Sequence, residues 1–334
     1  MGLCKRAIAA EIRDGASVSS RPEEWRGSRY SNLVRSYHGG KLTVGNFMRS
    51  LSTINTKFLA DEKKLDFYGT IGNDGRVHIT VLNSILKLDD ETLVWGQFCQ
   101  GLSKKNQVSN HKVCFLMLTP DMQVLTGNAD WFESKTAGPE MDMYNNIPRY
   151  RYNSYYGYSP IHYLKIAHLD EQYLLDVDDY KSCLLKSEKA KTSISQGQHP
   201  DAISIYTRKY FEDPLSFKVL GFVDENGYPK IIPLLQCTLS KANRVVFVQE
   251  PNGDILSHIK DNEQVAIYTI TLDRMYSVLV KGPLTWTKVN EDTVGIVEID
   301  QVYNPMMPKA SYIYPKPKLE RTRVFENVLD EYNV

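Results

Sequence analysis

A chain of 334 residues has room for two ordinary domains, and 42% hydrophobic with 24% charged residues is a globular composition. Its 40 basic and 40 acidic residues cancel, so nothing global favours nucleic acid or an anionic membrane as partner. No run approaches the roughly 18 apolar residues of a membrane helix.

Residues 1–50 open the chain. Met1–Ile12 reads as a short helix and Asp14–Tyr37 as a polar, loose stretch. The start carries no apolar signal core, and Arg6 stands where a myristoylation signal at Gly2 needs Ser or Thr. Glu11, Asp14, Glu23 and Glu24 oppose a transit peptide. Leu42–Phe58 spaces Val44, Phe47, Met48, Leu51 and Ile54 as one helical face, which predicts an amphipathic helix.

From Phe67 to Thr119 the chain contains a unit that recurs. At an offset of 152, Gly69, Gly75, Gln97, Gly101, Asn110, Val113 and Thr119 fall on Gly221, Gly227, Gln249, Gly253, Asn262, Val265 and Thr271. Ile79, Leu82 and Val94 fall on Ile231, Leu234 and Val246, and at an offset of 155 Gly127 and Trp131 meet Gly282 and Trp286. Matching turns and apolar positions at one period mark a duplicated structural unit.

The first copy reads as strands Leu65–Ile71 and Val77–Leu86 around the turn Gly72-Asn73-Asp74-Gly75. Thr92–Phe98, a short helix Ser103–Ser109, then strands Lys112–Leu118, Gln123–Trp131 and Ile161–Leu169 follow. The second copy gives strands Phe217–Val223, Pro229–Leu239 and Arg244–Gln249, a helix Ile255–Lys260, and strands Gln264–Thr271, Tyr276–Trp286 and Gly295–Tyr303. Between the copies Leu174–Leu185 and the charged Lys186–Lys191 look helical, and Thr192–Pro200 is a polar linker. Short strands without regular strand–helix alternation predict a mainly β fold of closed antiparallel barrels with a few helices.

The order strand, Asn-Asp-Gly turn, strand, turn, strand ending in Trp95-Gly96-Gln97-Phe98, then Gly101-Leu102-Ser103-Lys104-Lys105, then Asn110-His111-Lys112-Val113, resembles the pyridoxamine 5′-phosphate oxidase-like split-barrel family. Glu140–Tyr158 looks like the insertion of a branch in which two such barrels are fused. The resemblance covers about residues 60–318. It implies two tandem split β-barrels forming an intramolecular pseudo-dimer, with a ligand cleft at their seam. Family members bind FMN, or in some cases deazaflavin or haem, and a flavin-dependent oxidoreductase is the implied activity.

Carried over by position, the phosphate would lie on Gln97, Gly101, Ser103, Lys104 and Lys105. Gly101 lets backbone approach an anion, the helix start offers N–H groups, and the lysines add charge. Asn83 and Ser84 would hydrogen-bond the ring system, and Tyr152 and Tyr155 would cover it. Three departures stand out. The family's usual lysine falls on Ser103, its phosphate arginine falls near Val81, and the second copy has Gly253-Asp254-Ile255-Leu256-Ser257, with an acid and no lysine. The missing arginine and the second copy's acid support an alternative, a non-catalytic scaffold or sensing protein with a degenerate flavin site; a haem-binding split barrel is a third reading, which an absorption spectrum decides.

Arg149, Tyr150, Arg151, Tyr152, Tyr155, Tyr156 and Tyr158 cluster in the insertion, where they suit a cleft wall or inter-barrel packing. His38, His78, His111, His162, His168, His199 and His258 have no zinc-ligand spacing, and there is no GxSxG or Walker lysine motif. Cys4, Cys99, Cys114, Cys183 and Cys237 include no CxxC pair and point to reduced thiols in a cytoplasmic protein. The expected division is 1–58 as an extension, 59–170 as the first barrel with its insertion at 133–160, 171–212 as connector, 213–318 as the second barrel and 319–334 as a tail. The barrels would pair within one chain.

Overall fold

The computed structural model describes residue 58 and residues 64–98, 101–147, 157–194, 202–213, 215–240, 244–306 and 310–317. Except for Phe58, the helix expected over Leu42–Phe58 lies outside them, as do Tyr152 and Tyr155.

The first sheet comprises β1 (Leu65–Ile71), β2 (Val77–Val81), β3 (Ile85–Lys87), β4 (Thr92–Gly96), β5 (Lys112–Leu118), β6 (Gln123–Lys135), β7 (Ile161–Leu169) and the short β8 (Tyr173–Leu174). The second comprises β9 (Ser216–Val223), β10 (Pro229–Pro233), β11 (Thr238–Leu239), β12 (Arg244–Val248), β13 (Glu263–Thr271) and β14 (Ser277–Val289). It continues through β15 (Asp292–Glu298), β16 (Gln301–Asn304) and β17 (Ser311–Tyr314). Among the described residues five α-helices accompany them: α1 (Leu102–Ser109), α2 (Pro139–Asn146), α3 (Val177–Ala190), α4 (Ile205–Glu212) and α5 (Gly253–Leu256).

Strand order is β2-β1-β5-β6-β7-β4-β3 in one sheet and β10-β9-β13-β14-β15-β12-β11 in the other. Strand for strand the two orders coincide, so the duplication read from the sequence is a duplication of topology. The hairpin turns coincide too. Gly75 and Gly227 take φ of 75° and 74°, a backbone that only glycine adopts without strain, and each N–H closes its turn onto the carbonyl three residues back at 2.9 Å.

The single returning strands expected over Val77–Leu86 and Pro229–Leu239 are each broken in two. In the first copy the break falls at Leu82–Ser84, where Asn83 has φ 54°. The halves lie on opposite edges of the sheet: β2 ends one side and β3 the other. A flat sheet would hold these edges roughly 29 Å apart, six steps of about 4.8 Å, whereas the chain from Val81 to Ile85 spans at most about 14 Å. The sheet must therefore curl until its edges stand side by side. β2 does not pair with β3, nor β10 with β11, so each unit is a curled sheet without the ladder that would close the expected barrel.

Side chains pin this crossover. Lys64 donates to both Asp66 carboxylate oxygens at 2.5 and 2.6 Å and to the Ile85 carbonyl at 2.7 Å, and Ile85 N–H donates back to Asp66 at 3.1 Å. The pair is buried, and its hydrogen bonds offset the cost of taking both charges from water. The second copy solves the same problem with one residue. Lys218, at the Asp66 position, donates to the carbonyl of Cys237, at the Ile85 position.

Each curl encloses its own core, Phe115, Leu125 and Leu164 among others in the first and Phe247, Ile267 and Val280 in the second. A third apolar cluster draws from both, joining Phe67, Ile79 and Leu116 to Phe217, Ile231 and Tyr268. This seam is pseudo-symmetric. A Cβ added to Gly69 would meet Ile231 Cδ1 at 3.0 Å, and one added to Gly221 would meet Ile79 Cδ1 at 2.8 Å. The two units thus pack through equivalent glycine and isoleucine positions. Arg76 adds a bidentate ion pair to Asp300 across the seam at 2.6 and 2.7 Å. Among the described residues no helix is long and apolar enough to cross a membrane.

Candidate functional site

Four of the expected site residues, Gly101, Ser103, Lys104 and Lys105, lie at the start of α1, and Gln97 follows β4. Gly101 caps α1 in extended backbone without a side-chain hydrogen bond, and the first turn holds no acid. The orphan N–H groups of this eight-residue helix therefore face a local environment free of carboxylates from their own turn. Ser103 is buried, Lys105 is exposed, and Lys104 Nζ stands over the Trp95 ring, 5.3 Å from its centroid.

Beneath Lys104 lies a hydrogen-bonded chain. Tyr68 O–H donates to Gln107 Oε1 at 2.8 Å, and Gln107 Nε2 donates to His162 Nδ1 at 2.8 Å. Trp131 Nε1–H donates to the same Nδ1 at 3.2 Å. An indole N–H can only donate, so Nδ1 is an acceptor and the imidazole proton sits on Nε2. From there it donates to Gln97 Oε1 at 3.1 Å. His162 also stacks on Trp95, centroids 4.1 Å apart. Burial first, then the nearby Lys104 charge, lowers its pKa to about 4, so the ring is neutral at physiological pH. An irregularity in the β6–β7 ladder between Trp131 and Glu133 sets the direction of the tryptophan.

Ser84 and Gln97 join this shell, one through backbone. The Ser84 hydroxyl donates to the Gly96 carbonyl at 3.3 Å, and Tyr144 of α2 donates to the Ser84 and Val94 carbonyls at 2.6 and 2.9 Å. Asn83 and Ser84 sit in the break between β2 and β3 rather than on a strand, because the chain changes edges there. The structure thus brings Gln97 to His162 and Lys104 to Trp95, with Ser84 tied to the Gly96 carbonyl at the end of β4.

The sequence reading missed Tyr68, Gln107, Trp131 and His162 as partners. A signal for them lay in the duplication. At offset 152, Tyr68, Trp95 and Gln107 fall on Leu220, Phe247 and Ile259, and in the strand pairing Gly295 opposite Phe247 takes the place of His162 opposite Trp95. The second copy is apolar at each of these positions. Its tryptophan, Trp286, donates to the Ile259 carbonyl at 2.8 Å instead.

The second copy differs at the helix as well. The helix expected over Ile255–Lys260 is a single turn, α5, with Asp254 in it. Beside it, a cleft of about 1310 Å³ opens between the units. Its walls carry Asp170, Asp224, Glu225, Asp254, Asp261 and Glu263 against Lys230 and Lys260. A wall of that charge does not suit a phosphate.

No protein-family model and no curated protein sequence matches the chain. Several solved structures of pyridoxamine 5′-phosphate oxidase-like and FMN-binding split-barrel proteins show a remote, low-identity similarity. One is an FMN-binding protein from Syntrophomonas wolfei (16% identity, 33% of this chain and 77% of that one, TM-score 0.29). Another is HupZ of Group A Streptococcus (15% identity, 35% and 92%, TM-score 0.30). A third is a putative pyridoxamine 5′-phosphate oxidase from Lactobacillus delbrueckii (17% identity, 37% and 100%, TM-score 0.28).

Proposed function

We propose that this chain binds one FMN, at the first unit only, with the phosphate on the start of α1. The observation that carries this reading is the asymmetry of the copies. The first has an acid-free eight-residue helix start with Lys104 and Lys105, over a polar floor. The second has a one-turn helix with Asp254, over an apolar floor.

The phosphate end of the group fits these residues. Gly101 presents an approach without a Cβ, and the N–H groups of Leu102, Ser103 and Lys104 serve as donors. Because the Ser103 side chain is buried, its part is played by backbone. Lys104 and Lys105 supply charge, and Gln97 is held by the fixed tautomer of His162. Asn83 stands at the chain corner, while the Ser84 hydroxyl is directed to Gly96. Tyr152 and Tyr155 remain proposed covers of the ring. Bound FMN would supply redox chemistry, and the chain would hold and orient it as an oxidoreductase.

A titration of the full chain with FMN, followed by flavin fluorescence, tests this. Binding that weakens about tenfold or more in the Lys104→Ala, Lys105→Ala double variant supports it. Unchanged affinity in that variant contradicts the assigned site. A scaffold function is the second reading. Val81, half-buried and apolar where the family's phosphate arginine falls, favours it, and a chain that binds no FMN would decide for it.

A further inference from the structure

Gln97 is tied down on both sides of its backbone. Its N–H donates to the Pro160 carbonyl at 3.0 Å, and its own carbonyl accepts from Ser159 N–H at 3.0 Å. The side chain is half-buried. Its amide has two unlike ends, an oxygen that only accepts and an NH2 that only donates. His162 determines which end meets a ligand.

His162 is itself fixed by its neighbours. Trp131 has only a donor to offer, and it lies 3.2 Å from His162 Nδ1. Nδ1 therefore accepts, and the proton is on Nε2. Gln107 agrees, because its Oε1 is taken by the Tyr68 hydroxyl at 2.8 Å, which leaves its Nε2 for the same Nδ1. The Nε2–H of His162 then takes up Gln97 Oε1 at 3.1 Å. What remains of the Gln97 amide is its NH2 group, which has no acceptor among the described residues.

The second copy supplies the contrast. Gln249 stands where Gln97 does at the offset of 152, and it too is half-buried. Gly295, opposite Phe247, takes the place of His162, opposite Trp95. Glycine has no side chain with which to turn the amide. The glutamine is common to both copies, whereas the group that orients it belongs to the first, with the lysines of α1.

We propose that His162 is a positioning residue of the first unit: by occupying Gln97 Oε1 it turns the Gln97 NH2 toward the FMN phosphate, and that donor makes the site prefer FMN to riboflavin. The inference rests on the flavin reading and adds to it the direction of one hydrogen bond and the group that enforces it. A phosphate dianion only accepts, so the NH2 end suits it and the oxygen end repels it. Riboflavin ends in a hydroxyl there, which can meet either end of the amide.

Flavin-fluorescence titrations of the full chain with FMN and with riboflavin test this, alongside nitrogen-15 spectra of the ligand-free chain at neutral pH. The parent is expected to bind FMN about tenfold or more tightly than riboflavin. Gln97→Glu, which presents only acceptors, should weaken FMN about tenfold or more and change riboflavin by about threefold or less. His162→Phe keeps a ring on Trp95 and frees the amide to turn. It should weaken FMN severalfold in the parent and no further in Gln97→Met, since its effect passes through that amide. The spectra should show the His162 proton on Nε2. FMN held equally by Gln97→Glu overturns the proposal and leaves the flavin reading standing, as does a proton on Nδ1. So does a His162→Phe loss that persists in full beside Gln97→Met, which would be a structural role. A parent that binds no FMN overturns the flavin reading and this inference together. Should His162→Phe fail to fold, Gln97→Glu and the spectra still decide.

Discussion

His162 has its protonation state set by its neighbours rather than by solvent. An unfolded histidine titrates near 6.5, whereas in the fold burial brings His162 to about 4 and His78 to about 3. Between those values and 6.5 the unfolded chain binds more protons than the folded one. Stability is therefore fully present above about pH 6.5 and falls as the pH drops toward 4. Urea midpoints measured from pH 7 to 4 should fall. His162→Asn should remove about one proton's worth of that dependence, at most ~3 kcal/mol over the window. An unchanged slope in the variant would contradict the neutral, buried assignment. These roles were hard to read in sequence because their partners lie far apart, 31 residues between Trp131 and His162 and 65 between Gln97 and His162. The second copy offered the only local hint, by being apolar where the first is polar.

At the scale of elements, strands were legible wherever alternation or β-branched runs were bounded by strong turns. Leu65–Ile71, Lys112–Leu118 and Ile161–Leu169 have the bounds that their composition predicts. The edge-changing breaks were not legible, because Leu82 and Ile85 continue the apolar pattern and only Asn83 hints at a corner. The final strand expected over Gly295–Tyr303 is likewise two, β15 and β16, since the ladder with β14 is interrupted between Val297 and Gln301. The crossover depends on Asp66. Asp66→Asn takes the carboxylate away from the buried Lys64 ammonium and should cost about 3–5 kcal/mol in chemical denaturation. Replacing both, as Lys64→Met with Asp66→Leu, should recover most of that loss. A double variant as unstable as the single would show that the backbone contacts to Ile85, rather than the charge, dominate.

For the molecule as a whole, the seam makes two copies into one cooperative structure. Phe67 packs on Phe217 and Tyr268 with ring centroids 5.7 and 6.0 Å apart, so neither unit keeps its apolar face covered alone. Unfolding is expected as a single transition, checked by coincidence of fluorescence and circular dichroism curves. Gly221→Val would drive carbon into Ile79 and Val77 of the opposite unit and should cost about 1–3 kcal/mol, partly relieved by Ile79→Ala. Absence of relief would place the strain elsewhere than the seam.

Duplication gave two equivalent frames, and divergence left an acid-free helix start over a polar floor in the first alone. The stoichiometry of FMN on the intact chain tests that claim most directly. The account predicts one FMN per chain, lost with Lys104 and Lys105. Two per chain, or one that survives their removal, would contradict it.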